Sequence, residues 1–90
     1  MNFHDEQQLV AEAQENVEKF EELYEIYFPK VYGFVAGKVN GRATAEDLTS
    51  EIFIKILQAL PRYKYKGVPF GAWVFRIVRN HLKDYYAKNS

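Results

Sequence analysis

"PFGAWVFRIVRNHLKDY", residues 69–85, decides how this chain folds. A proline opens it, where a missing amide costs a helix little. At about 100° per residue, Phe70, Trp73, Val74, Ile77, Val78, His81 and Tyr85 share one broad side. Arg76, Arg79 and Lys83 fall on the opposite side, and Asn80 stands at the boundary, one turn after Arg76. A segment with one apolar and one basic side is a helix with its rings in a core and its cations in solvent. His81, on the apolar side, is expected to be a packed, hydrogen-bonded residue rather than a ligand.

Working outward, "PRYKYKGV" at 61–68 leads into that helix as a loop rich in cations and rings. Tyr63 is expected to pack beneath it, and Tyr65, flanked by Lys64 and Lys66, to face solvent. Upstream, Ala45, Leu48, Ile52, Ile56 and Ala59 make an apolar stripe, broadened by Phe53 and Leu60. Thr44 with Asp47 has the shape of a capping box, so this helix is expected over about 44–60, ending before Pro61. Asp47, Glu51 and Gln58 lie on its far side, and Ile54 projects among them. An isoleucine among acids and amides is the pattern of a face that docks on a partner.

The N-terminal half continues the helical period. Phe20, Leu23, Tyr24, Tyr27, Val31, Phe34 and Val35 recur at three- and four-residue spacing over about 17–39. Pro29 is expected to bend or split that helix. Leu9, Val10 and Ala13 mark a first helix over about 5–16, with Asp5 as its cap. The fourth helix covers about 69–87. With no strand-like alternation and no repeat, the fold class is all-α, a compact bundle of about four helices in a single domain over 1–90.

Composition narrows the function. The chain has no cysteine, which excludes disulfides and Cys-ligated zinc. The polar start "MNFHDEQQ" is unlike a signal peptide, and no apolar run reaches the length of a membrane span. The expectation is a cytoplasmic protein with no membrane partner. His4 and His81 stand far apart with no paired nucleophile, and neither a Gly-rich phosphate loop nor metal-ligand spacing is present. The expectation is therefore no enzyme, no cofactor and no metal.

The formal net charge of zero hides an asymmetry. Residues 1–28 hold eight carboxylates against one lysine, and residues 61–90 seven cations against Asp84. Cations follow a phosphate backbone and rings give stacking surfaces to unpaired bases, so the basic end suits a single-stranded nucleic acid. The rival reading is a helical adaptor that binds only protein and carries its cations as solvated faces.

The runs "FEELYEIYFPKVYGFV", "ATAEDLTSEIFIKIL" and "PFGAWVFRIVRNHLKDY" together resemble region two of bacterial sigma factors of the extracytoplasmic-function type, over about residues 17–87. The resemblance implies a helical domain that binds RNA polymerase core and recognises the promoter minus-ten element as melted single-stranded DNA. It implies that Asp47, Glu51, Ile54, Lys55 and Gln58 meet the clamp helices of the largest polymerase subunit. It implies that Lys64, Tyr65, Lys66, Gly67 and Val68 hold a flipped-out base of the non-template strand. Arg76, Arg79, Asn80 and Lys83 would carry the neighbouring strand, and Trp73 is expected mainly in the core. An anti-sigma factor is a further partner the resemblance allows. Ser50 stands where the family often has Gln, and the 61–68 loop is slightly longer than the commonest form. A full sigma factor of this type continues into a helix-turn-helix domain reading the minus-thirty-five element. That domain is absent from this chain, which is expected to be an excised domain, with a natural fragment as the alternative.

Overall fold

The computed structural model describes residues 2–89 and contains four helices: α1, Phe3–Glu15; α2, Val17–Ala36; α3, Arg42–Ala59; and α4, Phe70–Lys88. A 3-10 turn, Leu60–Arg62, follows α3 directly. The class is all-α, as the 3.6-residue period indicated. α2 packs against both α1 and α3, while α4 closes on α3 and touches α1 and α2.

The helix ends differ from the expected ones for local reasons. Asn2, not Asp5, caps α1: its side-chain oxygen accepts the Asp5 N–H at 2.8 Å, which leaves Asp5 in the acidic first turn. A single residue joins α1 to α2. The Asn16 N–H donates to the Glu12 carbonyl at 2.9 Å, closing α1, and its side chain accepts the Glu18 N–H at 2.9 Å, opening α2. α2 stops at Ala36, short of residue 39, with Gly37 as its C-cap. α3 starts at Arg42, before Thr44. Gly41 takes a φ of 95°, a conformation glycine adopts without strain, and its carbonyl accepts the Ala45 N–H at 3.2 Å. No side chain caps α3, so the expected Thr44–Asp47 box is not formed. α4 begins at Phe70 with Pro69 outside it as the N-cap residue, and Pro61 sits at the start of the 3-10 turn.

Pro29 lies inside α2 without splitting it. It removes one helical bond to the Glu25 carbonyl, but both residues are exposed, so water can take the freed oxygen.

The core follows the apolar stripes. Leu9, Val10 and Ala13 come from α1, and Phe20, Leu23, Tyr27, Val31 and Val35 from α2. α3 gives Ala45, Leu48, Ile52, Phe53 and Ile56, and α4 gives Phe70, Val74, Val78 and Leu82. Leu82 was not on the expected α4 face. It lies on a line with Val74 and Val78, so the buried stripe is rotated toward it and leaves Trp73, Ile77, His81 and Tyr85 half-buried. Thr49 is also fully buried, because its hydroxyl donates to the Ala45 carbonyl at 2.8 Å and so carries no unpaired polar atom inward. At the far end the Tyr86 hydroxyl donates to the Lys38 carbonyl, tying α4 to the turn between α2 and α3.

Tyr27 carries a polar link from α1 into this core. Its hydroxyl donates to Glu6 Oε2 at 2.8 Å. Burial, then the hydrogen bond and negative charge of Glu6, push the phenol above its ordinary value of 10.0. The folded state therefore favours the neutral phenol. That stabilisation is complete below pH 10 and is lost as the pH climbs above it. The thermal midpoint should fall between about pH 9 and about pH 11, and the fall should be smaller in Tyr27→Phe, which cannot ionise. Melting both proteins across that range checks it.

Two isoleucines one turn-half apart give a second test. Ile52 is 0% exposed and Ile54 is 56% exposed. Ile52→Ala should cost about 2–5 kcal/mol in chemical denaturation, whereas Ile54→Ala should stay within about 0.5 kcal/mol of the wild type.

Candidate nucleic-acid and partner interfaces

The loop between the 3-10 turn and α4 is anchored by rings at its root. Tyr63, 8% exposed, lies edge-on against Phe70 and Trp73, with centroids 5.2 and 5.0 Å apart. Phe70 contacts Trp73 at 5.3 Å and, from the other side, Tyr27 at 5.6 Å. Beyond Tyr63 every residue from Lys64 to Pro69 is exposed. Gly67 has a φ of 88°, and a Cβ there would meet nothing within 4 Å, so the demand for glycine is one of backbone conformation.

Arg62, Lys64, Lys66, Val68, Tyr63, Trp73 and Arg76 together line a groove of about 210 Å³. Its wall is therefore cationic, with ring carbon beneath. Of the expected nucleic-acid residues, Lys64, Lys66, Val68 and Arg76 meet here. Arg79, Asn80 and Lys83 are exposed farther along α4 and do not line it. Gly67 shapes the loop from outside the groove. Tyr65, 50% exposed, faces another way: its ring packs edge-on against Phe3 of α1, centroids 5.4 Å apart. Trp73, expected mainly in the core, is half-buried and forms part of the wall. Its place at the edge of the apolar side, three residues after Phe70, was the available signal. Arg62 was visible as part of the basic loop but was not among the expected contacts.

Among the described residues, no carboxylate lies within ion-pair distance of Arg62, Lys64, Lys66, Arg76, Arg79 or Lys83. Lys19 and Arg42, by contrast, pair within their own helices with Glu22 at 3.3 Å and Glu46 at 3.8 Å. The cations around the groove are thus free to meet an external anion without first breaking an internal bond.

The second surface is the outer side of α3. Asp47, Glu51, Ile54, Lys55 and Gln58 are all exposed. Asp47, Glu51, Ile54 and Gln58 follow the helical repeat along one side. Leu57, 38% exposed, and Tyr24 of α2, 39% exposed, add apolar surface; the Tyr24 ring packs on Phe53 at 4.7 Å. Between α3 and the end of α4 runs a cleft of about 370 Å³ bordered by Asp47, Glu51 and Lys55 on one side and His81, Asp84 and Lys88 on the other. His81 Nε2 lies 2.7 Å from Glu51 Oε1, so the half-buried ring holds one of the expected partner-facing carboxylates in place. His81 is the hydrogen-bonded residue anticipated for it, although it sits at the edge of the core.

No group of three or more His, Cys, Asp or Glu residues among the described residues could hold a metal ion. No helix among them is long and apolar enough to cross a membrane.

The family model described as sigma-70 region 2 matches residues 23–90. The ECF RNA polymerase sigma factor BldN of Streptomyces coelicolor is 41% identical over 80 residues, 88% of this chain and 30% of its own length. The RNA polymerase sigma factor CarQ of Myxococcus xanthus is 35% identical over 65 residues, 72% of this chain and 37% of its own. The ECF RNA polymerase sigma factor SigM of Bacillus subtilis is 30% identical over 69 residues, 77% of this chain and 41% of its own. The chain thus spans well under half the length of these relatives. No solved structure gives a significant match. With the family segment covering α3, the loop and α4 entire and most of α2, the chain belongs to the sigma-70 region 2 family, as a region of an extracytoplasmic-function sigma factor.

Proposed function

We propose that this domain serves transcription initiation in two ways: it docks on RNA polymerase core, and it recognises the promoter minus-ten element as melted single-stranded DNA. In this reading the outer side of α3 meets the clamp helices of the largest polymerase subunit. The 61–68 loop and the basic side of α4 carry the non-template strand. The observation that supports it most is the groove of Arg62, Lys64, Lys66, Trp73 and Arg76. At about 210 Å³ it is smaller than the usual drug-sized pocket of about 300–1,000 Å³, a size suited to one extruded base and not to a duplex. Arg79, Asn80 and Lys83 then continue the track along α4. Cytoplasmic action follows from that role, and an anti-sigma factor covering either surface is compatible with it.

The α3 surface supports the first half. Ile54 with Leu57 and Tyr24 gives an apolar centre, and Asp47, Lys55 and Gln58 a polar surround, which is the build of a protein interface. Because Thr44 forms no cap with Asp47, Asp47→Ala reports on docking without disturbing the start of the helix. A pull-down against core RNA polymerase is the direct test. Ile54→Ala should weaken capture by about 1–3 kcal/mol while the thermal midpoint holds.

The second half is tested with single-stranded and duplex minus-ten oligonucleotides over a salt series. Arg79→Ala or Lys83→Ala should weaken all single strands alike and lower the salt slope by about 0.7 per lost phosphate contact. Asn80→Ala should change which sequence is preferred and leave the slope alone. Tyr65→Ala should cost about 1–3 kcal/mol on single strands and little on duplex, if its exposed ring supports a base. Binding to polymerase with no salt-dependent affinity for single strands would favour the helical adaptor instead.

A further inference from the structure

We propose that α1 sets the shape of the 61–69 loop, with Gln14 as the positioning residue, and so tunes which base the groove accepts. This rests on reading the loop as a base-binding element. Most of α2 and everything after it lies within the matched family segment, residues 23–90, and α1 lies outside it. Yet α1 holds the loop at its entry, its middle and its exit.

At the entry, the Gln14 side-chain amide donates to the Leu60 carbonyl at 3.1 Å and to the Tyr63 carbonyl at 2.7 Å. These two oxygens stand at either end of the segment that carries Arg62. A carboxamide has two N–H hydrogens, so one side chain satisfies both. The Leu60 carbonyl also accepts the Tyr63 N–H at 3.0 Å, which closes the turn. Gln14 thus locks a turn that Pro61 alone would leave held by one bond. In the middle, Phe3 packs against Tyr65. At the exit, Glu6 holds the Tyr27 hydroxyl, which would stand 3.2 Å from a Cβ on Gly71 in the first turn of α4. Phe3, Glu6 and Gln14 recur at helical spacing, so one side of α1 makes all three contacts.

The groove is built from residues on both sides of that lock. Arg62, Tyr63, Lys64 and Lys66 come from the segment that Gln14 fixes, while Trp73 and Arg76 come from α4. A change in the angle of the turn would move the cations relative to the ring wall. Affinity from charge would survive such a shift, because phosphate contacts tolerate it. Discrimination between bases would not, because it needs fixed edges.

Two substitutions test this in the chain assembled with core polymerase. Gln14→Met keeps the length of the stem but cannot donate. Gln14→Lys can donate to the same carbonyls, near a helix C-terminus where a cation is favourable. The readout is the binding of four fluorescent single-stranded minus-ten oligonucleotides that differ at one base. With Gln14→Met the ratio between best and worst should narrow by about tenfold, within the range that reading one base contributes. Gln14→Lys should restore the ratio. An unchanged ratio in Gln14→Met overturns the positioning role and leaves base reading intact. A wild-type chain that shows no preference overturns base reading and the positioning role with it. Amide hydrogen exchange on the free chain gives a measurement without DNA. Gln14→Met should speed exchange at the Tyr63 amide, which donates to the Leu60 carbonyl, and leave the buried positions of α2 at wild-type rates. Uniform speeding across all helices, with outright unfolding as its limit, means Gln14 only holds the fold and overturns the proposal.

Discussion

Four rings meet where the loop returns to the bundle, and the groove depends on them. Tyr27 belongs to α2, Tyr63 to the end of the 3-10 turn, and Phe70 and Trp73 to α4. Aromatic pairs of this kind contribute about 0.5–1.5 kcal/mol each beyond the area they bury. Their larger effect is geometric, since they make a fixed bridge of a segment that would otherwise swing between two helices. The arrangement has a cost. The Tyr63 hydroxyl is buried with no hydrogen-bond partner among the described residues, which opposes folding by about 1–3 kcal/mol. The ring contacts and the buried ring area offset it, and the loop root stays closed.

The fold was legible where the period was regular. The α1 stripe of Leu9, Val10 and Ala13 is the buried set of that helix, and Phe20, Leu23, Tyr27, Val31 and Val35 of α2 were all on the expected side. Legibility failed where a turn moved a helix end. Gly41, at a positive φ, lets α3 start at Arg42, so Thr44 lies inside the helix and the Thr44–Asp47 pair, a good capping pattern, goes unused. Of the two outcomes expected for Pro29, bending or splitting α2, splitting does not occur, and the sequence gives no hint that the carbonyl it orphans faces water. The site divides in the same way. The residues expected at the two surfaces are exposed because charge and helical phase are local properties. Gln14 was out of reach: its partners lie 46 and 49 residues away, and nothing in "EAQEN" marks a clamp.

The charge separation in the chain becomes a spatial one. Of the lysines and arginines, Lys19 and Arg42 are answered by carboxylates within their own helices, at i+3 and i+4. Those around the groove and along α4 have no such partner among the described residues. Exposed pairs of the first kind contribute little to stability, so their effect lies mainly in cancelling local field. The unanswered cations keep theirs. A chain with no net charge therefore carries most of its unpaired cations at one end, where their field reaches about 10 Å at 0.1 M salt. Acidic and apolar side chains on α3, held in part by His81, suit a different partner.

Trp73 is the only tryptophan in the chain. It stands in the wall of the groove, with Tyr63 and Phe70 behind it and open space in front. Indole emission responds to whatever stacks on or shields the ring, so the protein carries its own fluorophore in the wall of the proposed base site. On that reading, a ring system entering the groove would change the signal directly, with no label added to the chain.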